Sequence, residues 1–352
     1  MNSASIFSKF NLQKLNPPPT TKFLLLALTF TSLLLWYIKL QTYNQLIAEG
    51  QKDIDVQFIV VPLLQLIPNY TLSHPWTLIT SIFIDTSFWR FCLSFGLLII
   101  SGRFIERSWS SVELLRFICI VCSITNLLTV LSVIVLNFTF GLEFFNIPID
   151  GNLSLLVSFL VVFKQLIPEH SIILFKGTVH ARVKHLPFAT LSLITVGCLI
   201  SGSAVVLLQS WLGFVVAWSY LRFYQSNVVD PLLPSNSVGI QRSQGDASET
   251  FALIHFFPAL THPVLSPLFT VVYDGLSSVG IVPQFNEQEV EQGNLIANRR
   301  LTGQAVSSRA DADSRNAAER RRQVALKVLE ERIGNTAASD SAASASAPVE
   351  DK

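Results

Sequence analysis

Two kinds of side chain in the apolar part of the chain could carry chemistry, a cysteine pair and a serine. Cys119 and Cys122 form a C-x-x-C pair, but no second pair and no histidine pair follows at the spacing of a zinc site. A thiol in an apolar helix behaves as a small hydrophobic side chain, so we favour packing over a metal or redox role. Ser154 lies three residues after Gly151, and a serine acts as a nucleophile only beside a general base. We therefore predict no metal site and no cofactor, and the role of Ser154 depends on the histidines.

The elements that position these residues are membrane spans. Of 352 residues, 50% are hydrophobic and 14% charged, against about a quarter charged in an average soluble chain. The lysines and arginines are concentrated after position 290, so the first 225 residues are more apolar than the average. The net charge of +1 indicates no polyanionic partner, and no nucleic-acid-binding signature is present. The composition predicts a membrane part followed by an aqueous part.

Six segments reach or approach the roughly 20 apolar residues that a spanning helix needs: Phe23–Leu40, Phe88–Ile105, Val112–Phe138, Asn152–Pro168, Leu186–Leu208 and Ser210–Tyr224. The fourth is short and the sixth marginal, which is typical of helices buried inside a bundle. No small-residue cleavage site follows the first, so we interpret it as an uncleaved signal anchor. In the fifth, Gly197, Gly202, Ser203 and Ala204 offer a face for close helix contact. The sequence predicts an all-α membrane protein with a six-helix transmembrane bundle.

Basic residues predict the orientation of this bundle, because cytoplasmic loops carry the excess of lysine and arginine. They precede the first span and occupy the loops after the second and fourth spans, all on one side: Lys9, Lys14, Lys22, Arg103, Arg107, Lys176, Arg182 and Lys184. We therefore expect both termini in the cytosol. The long Gln41–Ser87 loop is then lumenal, and its short apolar runs indicate an interfacial or re-entrant position. Asn69-Tyr70-Thr71 in that loop is a glycosylation acceptor triplet.

Several polar side chains fall inside or beside the predicted spans. We expect Lys39 and Arg90, at span ends, and Lys164, near the end of the fourth span with Gln165, to extend their long side chains to the membrane interface. Asn126, with Ser123 and Thr125, is expected to hydrogen-bond between helices. Because no inverted repeat is present, we favour bundle packing over an ion or solute route for these groups.

The chain divides into five parts where its composition changes. Residues 1–22 are a cytosolic segment, residues 23–224 the six-span domain, and residues 225–250 a polar linker. Residues 251–280 are apolar but broken by prolines, which predicts a segment on the membrane surface or packed under the bundle rather than a seventh span. Residues 281–352 are a partly disordered cytosolic tail with an amphipathic helix at 319–333. That helix suits a partner protein or is simply solvated on all sides.

Several motifs are specific in their order along the chain. Gly102-Arg103-Phe104-Ile105-Glu106, with Trp109 and Glu113 after it, looks like the G-x-x-x-E segment that follows the second rhomboid helix. The others resemble one rhomboid-like branch: Asp150–Ser154, Phe163–Gln165, Trp218–Gln225, Phe256–Pro258 and Glu319–Gln323. That branch is the transmembrane protein 115 family of eukaryotic rhomboid-like proteins. The resemblance covers about residues 75–280 and the helix at 319–333, and it implies a rhomboid-like fold for the bundle.

The resemblance also carries functional expectations. It implies a catalytically inactive Golgi membrane protein that acts in retrograde transport from the Golgi to the endoplasmic reticulum. It further implies that the chain self-associates into a homo-oligomer and contacts the conserved oligomeric Golgi tethering complex. A cytosolic tail that recruits such machinery would lose tether binding when Glu319–Lys352 is deleted.

A rhomboid protease needs a serine on its fourth helix and a histidine on its sixth. In the Gly-x-Ser-Gly pattern, counted from Gly151, the nucleophile position holds Leu153. Ser154 is rotated from it by about 100° around the helix and should face a different neighbour. No histidine lies in Leu186–Tyr224, because the six are His74, His170, His180, His185, His255 and His262. We therefore expect no enzymatic activity.

Three alternatives remain open. One is an atypical intramembrane serine protease that uses Ser154 with a base elsewhere in the chain. Another is a small-solute carrier, which predicts flux in reconstituted vesicles. A third is a derlin-like factor for quality control in the endoplasmic reticulum, and cellular location distinguishes it from a Golgi protein.

Overall fold

The computed structural model describes residues 17–50, 55–56, 59–141, 144–174, 179–227, 243–280 and 282–300. The chain forms two compact units, Met1–Ala297 and Asn298–Lys352. All elements discussed below belong to the first, and of the second the described residues, 298–300, are helical. The predicted helix at 319–333 and most of the predicted linker lie outside the described residues.

Six helices form the bundle, numbered here in chain order: α1 (Pro19–Ala48), α2 (Phe88–Ser108), α3 (Ser111–Phe140), α4 (Asn152–Leu166), α5 (Leu186–Ser201) and α6 (Ala204–Ser219). A π-helical turn, Tyr220–Tyr224, continues α6. Five of the six are long and apolar enough to cross a membrane, and α4 is a shorter apolar helix. This confirms the predicted all-α membrane protein and its short fourth span.

Local sequence explains where several of these helices begin and end. At the start of α3 the Ser110 hydroxyl accepts a hydrogen bond from the backbone N–H of Glu113, at 3.3 Å, as an N-cap residue does. Gly141 ends α3 and Gly202 ends α5, both with the positive φ that glycine tolerates.

The predicted boundary between the fifth and sixth spans is wrong. We placed it between Leu208 and Ser210, whereas the turn lies at Gly202 and Ser203. Gly202 therefore ends a helix instead of lining a helix contact. The continuous apolar run hides this turn, because hydrophobicity alone does not distinguish one long helix from two short ones.

The main core surrounds α4, which packs against α2, α3, α5 and α6. Phe117 on α3, Phe159 on α4 and Phe214 on α6 are fully buried there. The contact between α4 and α6 is close: a Cβ atom at Gly213 would lie 3.2 Å from Cα of Ser154. The short helix is thus the centre of the bundle.

The two ends of the bundle differ. At the tail end, defined by Pro19 and Tyr224, α1 begins and α6 ends. At the opposite, far end, the loop before α2 folds onto the bundle through short turns at Pro68–Tyr70, Thr77–Thr80 and Ser81–Phe83. The predicted long loop is also shortened, because α1 continues as a helix beyond Leu40 to Ala48.

Polar contacts attach this loop to the bundle. The Asn126 side chain on α3 donates to the Leu78 carbonyl at 2.8 Å and to the Ser81 hydroxyl at 3.1 Å, and its oxygen accepts from Gln209 on α6 at 3.4 Å, which confirms the expected bond between helices. The same expectation for Thr125 is wrong, because its hydroxyl donates to the Val121 carbonyl of its own helix at 2.7 Å. A Cβ atom at Gly151 would lie 2.8 Å from the Ser81 carbonyl, so only glycine fits there.

Short strands and turns complete the unit at the tail end. Ser171–Leu174 (β1) and Val179–Arg182 (β2) form an antiparallel hairpin between α4 and α5, and Ser226–Asn227 (β3) pairs with Ser243–Gln244 (β4). Beyond them come turns at Glu249–Phe251, Leu253–Phe256 and Ala259–Thr261. A seventh helix, α7 (His262–Ser278), follows, and residues 287–297 are helical.

Candidate functional site

A cleft of ≈ 650 Å³ opens at the far end of the bundle. Its walls come from the first turns of α2, α4 and α6, together with residues 144–150. Trp89 and Leu93 on α2 line one side and are largely exposed. Leu153 and Leu156 on α4 line the other. The cleft is therefore apolar along its walls and open toward the outer surface of the bundle.

Charged and polar groups meet at one border of this cleft. Asn152 donates to the buried Asp85 carboxylate at 2.9 Å, and Arg90 forms an ion pair with Asp150. The hydroxyl of Thr86 also donates to Asp150, at 3.5 Å. Two separate stretches of the chain, residues 85–90 and 150–152, thus form one polar cluster beside an apolar cavity.

Burial dominates the electrostatics of Asp85. It raises the pKa of this carboxyl above its ordinary value, and hydrogen bonds from Ser94 and Asn152 oppose that rise only in part. An acidic group in this setting suits recognition of a polar group on an otherwise apolar partner.

The sequence signals only some of the charged residues at the border of the cleft. Asp85 is an isolated acidic residue in an apolar stretch, and that isolation was the available signal. Arg90 was expected to reach the interface and is exposed, but it pairs with Asp150. The expectation for Lys39 is wrong, because its side chain is buried and lines the cleft.

The candidate nucleophile does not face the cleft. Leu153 lines the cavity, whereas Ser154 is fully buried and its hydroxyl donates to the Gly151 carbonyl at 2.6 Å. Ser154 packs against Gly213 on α6, where an added Cβ atom would lie 3.2 Å from its Cα. The predicted change of neighbour for Ser154 is thereby confirmed.

None of the described histidines lies on α4, α5 or α6: His170, His180 and His185 belong to the hairpin between α4 and α5 and its flanks. His74 belongs to the far-end loop, where its Nδ1 is 2.9 Å from the Ser73 hydroxyl and its ring packs edge-on against Trp76. His255 and His262 lie in the segment after α6. Within the described residues, no group of three or more histidine, cysteine or acidic side chains is placed to hold a metal ion.

The sequence of the chain matches a known protein family over most of its length. A family model described as "Eukaryotic integral membrane protein (DUF1751)" matches residues 22–335. The chain belongs to this family. No solved structure matches the chain.

Curated relatives of this DUF1751 member carry two kinds of name. "Transmembrane protein 115 homolog" of Saccharomyces cerevisiae is 36% identical over 339 residues, 93% of this chain and 96% of its own. "Rhomboid-like protein 19" of Arabidopsis thaliana is 31% identical over 79% of this chain and 84% of its own. "Transmembrane protein 115" of Homo sapiens is 29% identical over 76% of this chain and 69% of its own. The resemblance inferred from the motifs is confirmed, and the chain is a rhomboid-like membrane protein.

In this DUF1751 member the G-x-x-x-E motif joins α1 to α2. Both oxygens of the buried Glu106 carboxylate accept bonds from the first turn of α1: from the Thr20 N–H at 2.9 Å, and from the Thr21 N–H and hydroxyl at 2.7 Å each. The Ser111 hydroxyl donates a fourth, at 2.7 Å. Gly102 leaves room for this approach, because a Cβ atom there would lie 3.1 Å from the Thr21 side chain. Glu106 thus caps a helix whose first N–H groups have no partner inside it.

The remaining DUF1751 motifs meet at the tail end, where the expectation for Lys164 is wrong. Its side chain is 5% exposed, its ammonium donates to the His255 carbonyl at 2.7 Å and it lies 3.3 Å from the centre of the Phe256 ring. Gln165 is buried as well and donates to Gln225 at 3.1 Å and to Asp246 at 3.0 Å. The segment after α6 covers this end, so neither side chain extends toward the membrane interface.

Arg222 anchors the same segment. Its guanidinium donates to the carbonyls of Asp246 at 2.6 Å and Ser248 at 2.5 Å. Phe251 and Phe256 beyond it are buried in the main core. The motifs of the fourth span, the sixth span and the Phe256–Pro258 segment therefore form one contact surface, which motif spacing alone does not reveal.

Proposed function

We propose that this chain is a non-catalytic rhomboid-like protein of the Golgi membrane that acts in vesicle transport from the Golgi back to the endoplasmic reticulum. In this proposal both termini are cytosolic, and the protein is an oligomeric scaffold. The far-end cleft receives transmembrane segments of other proteins. The cytosolic tail recruits tethering machinery, with the conserved oligomeric Golgi complex as the expected partner.

One observation carries the non-catalytic part. A cleft is present beside α4, but the residue that faces it is Leu153, while the Ser154 hydroxyl is bonded to Gly151 and packed against α6. Neither α5 nor α6 carries a histidine that could act as general base. The geometry therefore supports binding in the cleft without cleavage.

The binding role rests on the chemistry of the cleft. Exposed apolar walls suit an apolar helix, and the Asp85–Arg90–Asp150 cluster at the border suits a polar residue on that helix. The Golgi location, the transport pathway and the tether are supported by the likeness to the transmembrane protein 115 family.

The test measures where the protein resides in the cell and whether a Golgi enzyme depends on it. A tagged full-length chain is scored against early and late Golgi markers, and a resident Golgi glycosyltransferase is followed after deletion of the gene. We expect Golgi residence and a mislocalised enzyme, restored by the wild-type chain and by the Ser154→Ala variant. Residence in the endoplasmic reticulum with stabilised misfolded proteins would favour the derlin-like alternative instead.

Two further variants separate the cleft from the tail. Leu156→Trp fills the cleft and is expected to fail in rescue, whereas Leu131→Trp, on an exposed face of α3, is the matched control. Deletion of Glu319–Lys352 is expected to abolish tether binding with membrane insertion intact. Tether binding that survives this deletion would contradict the tail assignment.

A further inference from the structure

The helix α7 has three distinct faces. One packs against the tail end of the bundle: the Phe269 ring lies 5.7 Å from the Phe257 ring, and the Tyr273 ring is stacked 6.4 Å from the Phe223 ring. A second face carries Ser266, Thr270 and Asp274, of which Ser266 and Thr270 border an open cleft of ≈ 460 Å³ between α7 and the end of the bundle. The third face is apolar and uncovered.

This uncovered face is a continuous stripe. At about 100° per residue its members project into an arc of about 100°, and their exposed fractions lie between 49% and 74%: Val264, Leu268, Val271, Val272 and Val279. Four of these residues belong to α7 and Val279 is its C-cap; apolar side chains on one side of a helix, with polar residues on the other, form an amphipathic helix. Such a stripe requires a partner, since exposed apolar patches of this kind mark interaction surfaces.

The position of α7 identifies that partner. Phe257, on which α7 packs, also contacts Phe188 in the first turn of α5, with ring centres 5.7 Å apart. Farther along α5 the outward side chains Leu193 and Leu199 are largely exposed, as they are in a helix that faces lipid. The packed face of α7 therefore lies beside the end of a lipid-facing surface, and the exposed stripe of α7 is uncharged like that surface.

We propose that α7 is an in-plane membrane anchor, whose stripe is buried in the leaflet at the tail end of the bundle. Its packed face holds it against the bundle, and the Ser266–Asp274 face remains in water. The anchor sets the level at which the chain leaves the bilayer after the last span. This inference does not depend on the proposed Golgi function.

The test places an environment-sensitive fluorescent amino acid in the full-length chain, in phosphatidylcholine vesicles that contain nitroxide-labelled lipid. One chain carries the probe in place of Leu268 and a matched chain carries it in place of Asp274, which is exposed and lies about 120° away on the same helix. We expect a blue-shifted emission quenched by the nitroxide lipid at position 268, and emission quenched by aqueous iodide at position 274. Iodide quenching at both positions would overturn the proposal.

Two more measurements exclude other partners. A photo-crosslinking amino acid in place of Val264 should attach to lipid, whereas attachment to a second copy of the chain would overturn the membrane assignment. The Val271→Asp variant should move the probe at position 268 into water, and the Thr270→Asp control should leave it buried. Equal responses of the two variants would also overturn it.

Discussion

The buried carboxylate of Glu106 accepts three hydrogen bonds from the start of α1 and a fourth from Ser111 at the start of α3. The Glu106→Ala variant leaves the N–H groups of Thr20 and Thr21 without an acceptor away from water. We expect a loss of about 2–4 kcal/mol in the free energy of unfolding, measured by thermal unfolding in detergent micelles. The Glu106→Gln variant keeps one acceptor oxygen, so its free energy of unfolding should lie between those of the wild type and Glu106→Ala.

The control for this prediction is Glu169→Ala. Glu169 pairs with two cations, Lys184 at 3.1 Å and Arg182 at 3.7 Å, but all three side chains are at least partly exposed to solvent. Surface pairs contribute about 0–1 kcal/mol, so the loss should be small. Equal losses for Glu106→Ala and Glu169→Ala would show that Glu106 is no helix cap.

Replacing Asp85 is expected to raise the stability of the protein, whereas replacing Glu106 lowers it. Burial raises the pKa of its carboxyl, so the folded protein binds the proton more tightly than the unfolded chain does. The ionised form therefore lowers stability at neutral pH, and this cost disappears as the pH falls toward the ordinary pKa of aspartate. We expect Asp85→Asn, whose amide oxygen can still accept from Asn152, to unfold at a higher temperature than the wild type at pH 7.

The same variant is then compared at lower pH. The difference between Asp85→Asn and the wild type should shrink as the pH is lowered, because the wild-type carboxyl becomes neutral as well. A variant less stable than the wild type at pH 7 would contradict the prediction. It would mean that the attraction of Arg90 for the carboxylate exceeds the cost of its burial.

Side chains were predictable from sequence where one helix decides their environment. The rotation between Leu153 and Ser154 follows from helix geometry, so the separation of the serine from the cleft was predictable. Lys164 was not, because its contacts to His255 and Phe256 come from a segment about 90 residues later, as its 91-residue separation from His255 shows. Local pattern contains no information on such a long-range contact.

The contact between α4 and α6 depends on Gly213. A Cβ atom there would lie 3.2 Å from Cα and Cβ of Ser154, closer than ordinary packing allows. We expect Gly213→Val to lower the free energy of unfolding by about 1–3 kcal/mol or more through overpacking. Thermal unfolding in detergent measures this loss of stability. Where the variant is too unstable to purify, the yield of folded protein is compared instead.

Gly197→Val on α5 is the matched control, because the same hypothetical atom at Gly197 meets nothing within 4 Å. Its effect should stay within about 0.5 kcal/mol. Comparable damage from both variants would show that β-branching in a helix, rather than the α4–α6 contact, causes the loss.

Helices were predictable as apolar runs, and their ends only where a residue signals them. Pro19 near the start of α1 and Gly141 after α3 are such signals. Gly202 could also have signalled a helix end. It is followed by two small residues within an apolar run, however, and such a group is equally typical of close packing between helices. Whether Gly202 ends a helix or lines a helix contact depends on tertiary contacts, which a single sequence does not reveal.

The cleft is a property of the whole molecule. Its polar border combines Asp85 and Arg90 with Asp150 and Asn152, and its far wall begins at Ala204. These residues are distant in sequence, so the cleft appears only when α2, α4 and α6 are assembled. The family motif Asp150–Ser154 includes three residues of the cleft, Asp150, Asn152 and Leu153, so the resemblance pointed to part of this site.

The orientation of the bundle gives the last prediction. The basic loops all belong to the tail end, which by the excess of cytoplasmic lysine and arginine should face the cytosol. In a chain whose four native cysteines are replaced by alanine, Glu169→Cys at the tail end and Ser73→Cys in the far-end loop each introduce one exposed thiol. On sealed vesicles with their cytosolic face outward, a membrane-impermeant maleimide should label the first thiol directly and the second only after detergent is added. The reverse labelling pattern would place the tail end in the lumen. Glu319–Lys352 could then reach cytosolic tethers only if the chain crossed the membrane an odd number of further times, so this result would contradict the proposed role of the tail.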